Sequence, residues 1–192
     1  MGDPCYDEPD QRLVAAAKDR EADAWAELVR RYYPPLLGYL TSQTNDPDVA
    51  AELTQETFLA ADTLLHRLPA DRPFAGWLYR IAQNLLRRMW RRRKLRRFVS
   101  IEWLLEQPAR AGRSLRQSGN LESQVAEEEL VQQVLNGLSS PLRDALLLNS
   151  LAGLSSSEVA AALAISPPAA ERRISRAKEQ FRARYNALIE EV

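Results

Sequence analysis

Apolar residues recur at spacings of three and four along most of the chain, and nowhere do they alternate with the period of a strand. The pattern predicts an all-α protein. Residues 1–9 read as a disordered tail. Leu13, Val14 and Ala17 mark the inner side of a first helix over 10–18. The segment 19–24, DREADA, reads as a break and restart. Trp25, Leu28 and Val29 then open a second helix. Pro34 and Pro35 are expected to interrupt it, with Leu36, Leu37 and Leu40 in a third helical piece, because a proline is best tolerated in a first turn. Asn45-Asp46-Pro47 is a further boundary, where Asp46 can cap and Pro47 suits the first helical position. The next helix runs to about Leu65. Val49, Leu53, Ala60 and Leu64 lie along one side, with Phe58, Ala61, Leu65 and Leu68 close by. Glu52, Gln55, Glu56 and Asp62 are left to solvent. A loop, HRLPADRP, leads into a long helix from Phe74. Phe74, Trp77, Leu78, Ile81, Leu85 and Met89 share one face of it, while Arg80, Gln83, Asn84, Arg87, Arg88 and Arg91 project elsewhere.

The periodicity fails between about Phe98 and Leu121. Arg, Gln, Ser and Gly dominate the stretch ARAGRSLRQSGN, which is linker composition, although Ile101, Trp103, Leu104 and Leu105 could form a short docked segment. The domain boundary falls here: a first domain over 10–97, a flexible linker over 98–121 and a second domain over 122–192. In the second domain Val125, Leu130, Val134 and Leu138 form one apolar series. Leu142, Leu146 and Leu147 belong to a helix starting near Pro141, with Ser140 as a possible cap and Gly153 at its end. Ser155 or Ser156 then caps a short helix holding Val159, Ala160 and Leu163. After the turn AIS, with Ser166 as N-cap, a last helix runs from Pro167 to about Ile189, with Ile174, Ala177 and Phe181 inward. A short helix, a tight turn and a longer basic helix make the helix-turn-helix pattern. The expected architecture is two small helical domains, the C-terminal one a helix-turn-helix.

Charge sharpens this picture. The 192 residues sum to zero, but the charges are segregated: residues 1–66 carry a net −8 and residues 67–98 a net +10. From Arg87 to Arg97, eight of eleven residues are Arg or Lys. Such density points to a nucleic acid or another anionic surface. The plainer reading is a solvated basic helix end, where cations also suit the helix dipole. One acidic and one basic face allow a polyanion and a protein partner to be held together. Cys5 is the only cysteine and His66 the only histidine, so an intramolecular disulfide is excluded, and a Cys/His metal site or a histidine-based triad almost so. The absence of a glycine-rich phosphate loop and of clustered carboxylates also argues against a hydrolase or transferase. No apolar run approaches the roughly 18 residues of a membrane helix, and the acidic start MGDPCYDEPD lacks the parts of a signal peptide. The expected address is cytoplasmic, with no membrane insertion, cofactor or small-molecule substrate.

The two halves together resemble bacterial sigma factors of the extracytoplasmic-function group, the smallest kind, with only regions two and four. The resemblance rests on AWAELVRRYYPPLLGYL, ELTQETFLAA and PFAGWLYRIAQNLLRRMWRRR in the first half, and on LSSPLRDALLLNSLAGLSSSEVAAALAIS and RRISRAKEQFR in the second. It implies a promoter-specificity subunit, not itself catalytic, that binds core RNA polymerase, recognises the minus-ten and minus-thirty-five elements and promotes DNA melting. It also implies an anti-sigma factor as a repressing partner. The ELTQETF helix would dock on the polymerase clamp through Leu53, Gln55, Glu56 and Phe58. The loop from His66 to Gly76, which includes Arg72, would capture a flipped base as the duplex opens.

On the helix that follows, Asn84 would meet a base edge, and Arg80, Arg87, Arg88 and Arg91 would hold phosphates. Tyr79 could stack on a base or pack inside; the phase of Trp77 puts it with Ile81 and Leu85 in the core. In the last helix Ala169, Arg172, Arg173, Ser175, Arg176 and Lys178 are the DNA-facing candidates. Arg172 is the foremost base reader, while Arg173, Arg176 and Lys178 are phosphate holders. Pro167-Pro168 and Glu171 depart from the family's usual start to this helix. The alternative function is a stand-alone helix-turn-helix regulator. It would bind duplex DNA without polymerase and leave the stretch 53–97 unexplained.

Overall fold

The computed structural model describes residues 7–99 and 121–190. Within them lie eight α-helices: α1 (Asp7–Lys18), α2 (Ala22–Thr44), α3 (Pro47–Leu64), α4 (Phe74–Val99), α5 (Leu121–Asn136), α6 (Ser140–Ser150), α7 (Ser156–Leu163) and α8 (Pro167–Glu190). One 3-10 turn, Leu65–Arg67, follows α3. No strand occurs among the described residues. The all-α, two-domain reading with a C-terminal helix-turn-helix holds. Cys5, most of the linker and the proposed docked segment at Ile101, Trp103, Leu104 and Leu105 lie outside the described residues.

Several boundaries differ from expectation. α1 begins at Asp7, inside the stretch read as a disordered tail. α2 is a single helix of 23 residues that runs through Pro34 and Pro35. The two missing N–H groups orphan the carbonyls four residues back, on Arg30 and Arg31. Arg30 is exposed and Arg31 half-buried, so water reaches this side of the helix. The opposite side is fixed by Leu28, Leu36, Tyr39 and Leu40, all fully buried. Burying each such leucine contributes about 1.5–3 kcal/mol, and the three together outweigh the weakened turn. α4 starts at Phe74, so Gly76 belongs to its first turn rather than to the preceding loop. The N-cap of α6 is Ser139, with Ser140 the first helical residue.

Other boundaries follow the sequence signals. The Asp46 carboxylate accepts from the Val49 amide at 3.1 Å to cap α3. Ser155 caps α7 in a reciprocal box with Glu158. α7 ends at Ala164, in the left-handed region (φ 56°), and the Ile165 amide reaches back to the Ala160 carbonyl at 3.0 Å. This closes the tight turn before α8. The Ser166 carbonyl accepts from the amides of both Ala169 and Ala170, each at 3.0 Å.

Aromatic rings tie the N-terminal domain together. Phe58 of α3 meets Trp25 edge-on at 6.3 Å and stacks with Tyr33 at 6.1 Å, both from α2. Phe74 of α4 meets Tyr32 of α2 at 5.2 Å. The buried Asp10 carboxylate fastens α1 to α2 by accepting from the Arg31 guanidinium at 2.9 Å and from the Tyr32 hydroxyl.

α4 is buried on two sides. Leu78, Tyr79, Ala82, Gln83 and Leu86 are almost wholly enclosed, while Trp77, Ile81, Leu85 and Met89 are half-buried against the same core. The inward stripe is therefore rotated from the expected one, because α2 covers a flank that the sequence left to solvent. Tyr39 of α2 is central: its ring meets Tyr79 edge-on at 5.4 Å, and its hydroxyl accepts from Gln83. The α2 residue Gln43 also donates to that hydroxyl, at 3.2 Å. Burial pushes the phenols of Tyr39 and Tyr79 above their ordinary values, so both stay neutral. Tyr79 is accordingly a core residue and not an exposed stacking platform. The C-terminal domain packs α6, α7 and α8 around Leu146, Leu148, Val159, Ala170 and Ile174, and its buried residues join those of the first domain in one hydrophobic cluster.

The Tyr79 hydroxyl has no hydrogen-bond partner among the described residues. An unpaired buried hydroxyl costs about 1–3 kcal/mol, partly recovered by relaxation. Tyr79→Phe is therefore expected to keep or raise stability, by up to about 1 kcal/mol, in urea unfolding followed by helical circular dichroism. A loss larger than that would mean that the hydroxyl is bonded in solution.

Candidate nucleic-acid interface

The candidate interface is built from two helices, α4 and α8, and one loop; α3 offers a separate acidic face. On α4, Arg80, Asn84, Arg87, Arg88 and Arg91 are all exposed. Arg80, Asn84, Arg87 and Arg91 follow at spacings of three and four, so they form one stripe on the side of the helix away from Leu78 and Ala82. Arg92 and Arg93 extend the charge, and the Arg93 guanidinium lies over the exposed Trp90 ring at 5.5 Å. The stripe carries guanidinium forks suited to phosphate oxygens and, in Asn84, one amide that can both donate to and accept from a base edge. Arg87, Trp90 and Arg91 also line an open cleft with Ser140 and Arg143 of α6.

The loop before α4 is held at both ends. Lys18 donates from the end of α1 to the Leu68 carbonyl, and Leu68 and Phe74 are buried. Between these anchors Pro69, Ala70, Asp71 and Arg72 are exposed, with a turn closed by the Arg72 amide on the Pro69 carbonyl at 3.1 Å. Arg72 thus stands at solvent beside the start of α4, while Gly76 is buried.

On α8, Ala170, Ile174 and Ala177 face the core. Arg172, Ser175 and Arg176 are exposed, and Ala169, Arg173 and Lys178 are half-buried. Ala169, Arg172, Arg173 and Arg176 line one hollow with Ser139 and Pro141 at the start of α6. The first three turns of α8 therefore present arginines on an open side, as a helix entering a major groove would require. Glu171 does not turn towards that hollow. Its carboxylate accepts from Ser156 Oγ at 3.4 Å, at the first residue of α7, where the positive end of the helix dipole favours a negative charge. Ser175 donates along the helix to Glu179 at 3.4 Å.

The acidic helix α3 separates its expected docking residues by face. Gln55 and Glu56 are exposed. Leu53 and Phe58 are not: they are 5% and 7% exposed, on the inward side with Ala50, Thr54, Thr57 and Ala61. Those two support the helix and offer no contact surface. Leu59, 71% exposed and in phase with Gln55 and Glu56, is the apolar residue that does reach solvent there. Sequence reasoning missed it. Its helical phase relative to Gln55 was the available signal.

The relation to known proteins follows the same geography. Residues 28–96 match the sigma-70 region 2 family and residues 128–181 match sigma-70 region 4. The RNA polymerase sigma factor CnrH of Cupriavidus metallidurans is 32% identical over 187 residues, covering 96% of each chain. The ECF RNA polymerase sigma-E factor of Escherichia coli is 30% identical over 184 residues, covering 94% of this chain and 96% of the relative. The solved structure of CnrH in complex with the cytosolic domain of CnrY superimposes with a TM-score of 0.69 at 28% identity, over 95% of this chain and 98% of that one. The fold is shared as well with the sigma factor RpoE of Bartonella quintana, solved in complex with the anti-sigma factor NepR (TM-score 0.64, 20% identity, 84% and 96% covered). Aligned with such factors along nearly its whole length, this chain belongs to the extracytoplasmic-function family of RNA polymerase sigma factors.

Proposed function

We propose that this sigma factor engages core RNA polymerase through the exposed face of α3, the minus-ten element through α4 and the loop before it, and the minus-thirty-five element through α8. The observation that carries the assignment is the segregation of exposed groups. Gln55, Glu56 and Leu59 stand on one helix, a guanidinium-and-amide stripe on the next, and a second set of arginines on the helix-turn-helix. Residues 10–97 form the polymerase and minus-ten unit, 98–121 the connection and 122–192 the minus-thirty-five unit.

The chain acts as a non-catalytic subunit, since nucleotide addition belongs to the polymerase. It works in the cytoplasm, where polymerase and promoter DNA are; no helix among the described residues is long and apolar enough to cross a membrane. CnrH is held by a cytosolic domain of CnrY, and by analogy an anti-sigma factor is the proposed repressor here. At the promoter, Arg80, Arg87, Arg88 and Arg91 hold phosphates, Asn84 reads a base edge, and Arg72 lies beside the flipped base. Flipping costs a few kcal/mol of stacking, which pocket contacts and polymerase binding must offset. On α8, Arg172 reads a base edge, Arg173, Arg176 and Lys178 hold phosphates, and Ala169 and Ser175 lie alongside.

Reconstitution with core polymerase and mapping of transcripts from fragmented genomic DNA tests the whole reading. Discrete start sites sharing two upstream elements are expected; no protein-dependent start sites with folded protein and active polymerase would overturn it. Arg172→Ala should weaken binding by roughly 1–3 kcal/mol at one base position of the minus-thirty-five element. A loss uniform across sequences would make Arg172 a phosphate holder instead. Replacing Gln55 and Glu56 together with Ala should lower polymerase affinity with helical content unchanged, and Leu59→Ala should lower it further; unaltered affinity in a pull-down titration would refute the α3 docking face.

A further inference from the structure

Helix α1 stands ahead of the stretch 28–96 that matches sigma-70 region 2, so the family match gives it no task. Its two ends reach the two ends of the base-capturing loop. At the entry, Leu68 precedes Pro69, whose ring keeps Leu68 in extended backbone (φ −68°, ψ 118°). The 3-10 turn cannot continue through it. The amide four residues on, that of Arg72, is taken by the Pro69 carbonyl at 3.1 Å. The Leu68 carbonyl accepts instead from the ammonium of Lys18, the last residue of α1. That place suits the charge, because the C-terminal end of a helix dipole is negative. At the exit, the Tyr32 hydroxyl donates to the Asp10 carboxylate of α1, and the Tyr32 ring meets Phe74, the first residue of α4, at 5.2 Å. The Pro73 carbonyl accepts from the Trp77 amide at 3.3 Å.

α1 is itself fixed. Val14 and Ala17 are buried, and Asp10, 6% exposed, also accepts from Arg31 at 2.9 Å. The helix therefore acts as a splint, with the exposed residues Pro69, Ala70, Asp71 and Arg72 strung between its two ties. Both ties lie within the first domain. The second domain touches elsewhere: a Cβ on Gly76 would stand 3.1 Å from the Glu158 carbonyl oxygen of α7, and Gln43 donates to Asp144 of α6 at 2.7 Å. The two ends of the loop differ in kind. The exit is held by a buried ring and by the first turn of α4, whereas among the described residues the entry carbonyl is held by the Lys18 side chain.

A pocket grips a flipped base only while its walls stay within about 0.5 Å of the productive place. A loop ordered before DNA arrives also loses less freedom on capture. Resting on the function proposed above, we propose that Lys18 is a positioning residue for base capture: its bond to the Leu68 carbonyl sets the loop from Pro69 to Pro73, and through that loop the preference for the flipped base of the minus-ten element. The role needs no contact between Lys18 and DNA. It gives α1 a share in promoter opening from the far side of the loop.

The test uses the full chain assembled with core polymerase, and single-stranded minus-ten oligonucleotides from a promoter mapped by its transcripts. An abasic site placed at each position in turn finds the captured base, where the loss is largest. The ratio of affinities, natural base over abasic site at that position, measures capture alone. Lys18→Met keeps the apolar stem and removes the donors. It should lower the ratio about 5–10-fold, as expected for loss of a hydrogen bond from a charged group. Affinity for the abasic strand, polymerase affinity and helical content should stay as in the parent. Lys18→Arg restores a donor and should return most of the ratio. In the free protein with Cys5→Ser, a dye on Ala70→Cys should lose fluorescence anisotropy when Lys18→Met is added, because the loop is looser. A ratio unchanged in Lys18→Met would overturn the inference, and so would an unmoved anisotropy. A loss equal for both strands would also overturn it, by making Lys18 a general support of the domain. A parent with no preference for base over abasic site at any position would sink the functional reading of the loop, and the positioning role with it.

Discussion

Everything in this molecule leans on the two-sided burial of α4. One flank is anchored by α2 through Tyr39, Tyr79 and Gln83, and the far end of the first turn accepts α7 at Gly76. Only the remaining strip is left to carry arginines. A helix with eight cations in eleven residues towards its end would be poorly stable alone, since like charges at spacings of three and four repel. Its long buried start supplies the packing energy that keeps the cationic part helical. Structure and charge are thus coupled: the apolar first half fixes the direction in which the basic second half points.

Much of this was legible in the sequence. The all-α class, the Asp46-Pro47 start, the capping of α7 by a serine and the tight turn before α8 follow from local chemistry, and local chemistry does not depend on what packs nearby. The misreadings share a cause. Tyr79 and Gln83 sit on a helix flank that looks polar in isolation and is buried in part because Tyr39, forty residues earlier, arrives there. Likewise the proline pair at 34–35 suggested a break, but burial of Leu28, Leu36 and Leu40 on the other side holds the helix continuous.

The residues proposed to face polymerase show a different limit. A motif compares residues in sequence order, whereas a helix distributes consecutive residues around its axis at ~100° each. Leu53 and Phe58 stand in the motif beside Gln55 and Glu56 but point inward with Ala50, Thr57 and Ala61. Applying the helical period to the motif would have replaced them with Leu59. Contact between the domains was not legible at all, because it depends on a glycine clearance and a cross-domain hydrogen bond between residues 101 positions apart.

The start of α8 has a chemical consequence of its own. Recognition helices commonly offer their first free amides to a DNA phosphate. Pro167 and Pro168 have no amide hydrogen, and those of Ala169 and Ala170 are already directed at the Ser166 carbonyl. The leading turn is left without an unused main-chain donor, and Glu171 is occupied at α7. This end of the helix is therefore blind to phosphate through its backbone. In the promoter contact proposed above, grip on the duplex falls to long guanidinium side chains, which tolerate small shifts of register that a fixed amide would not.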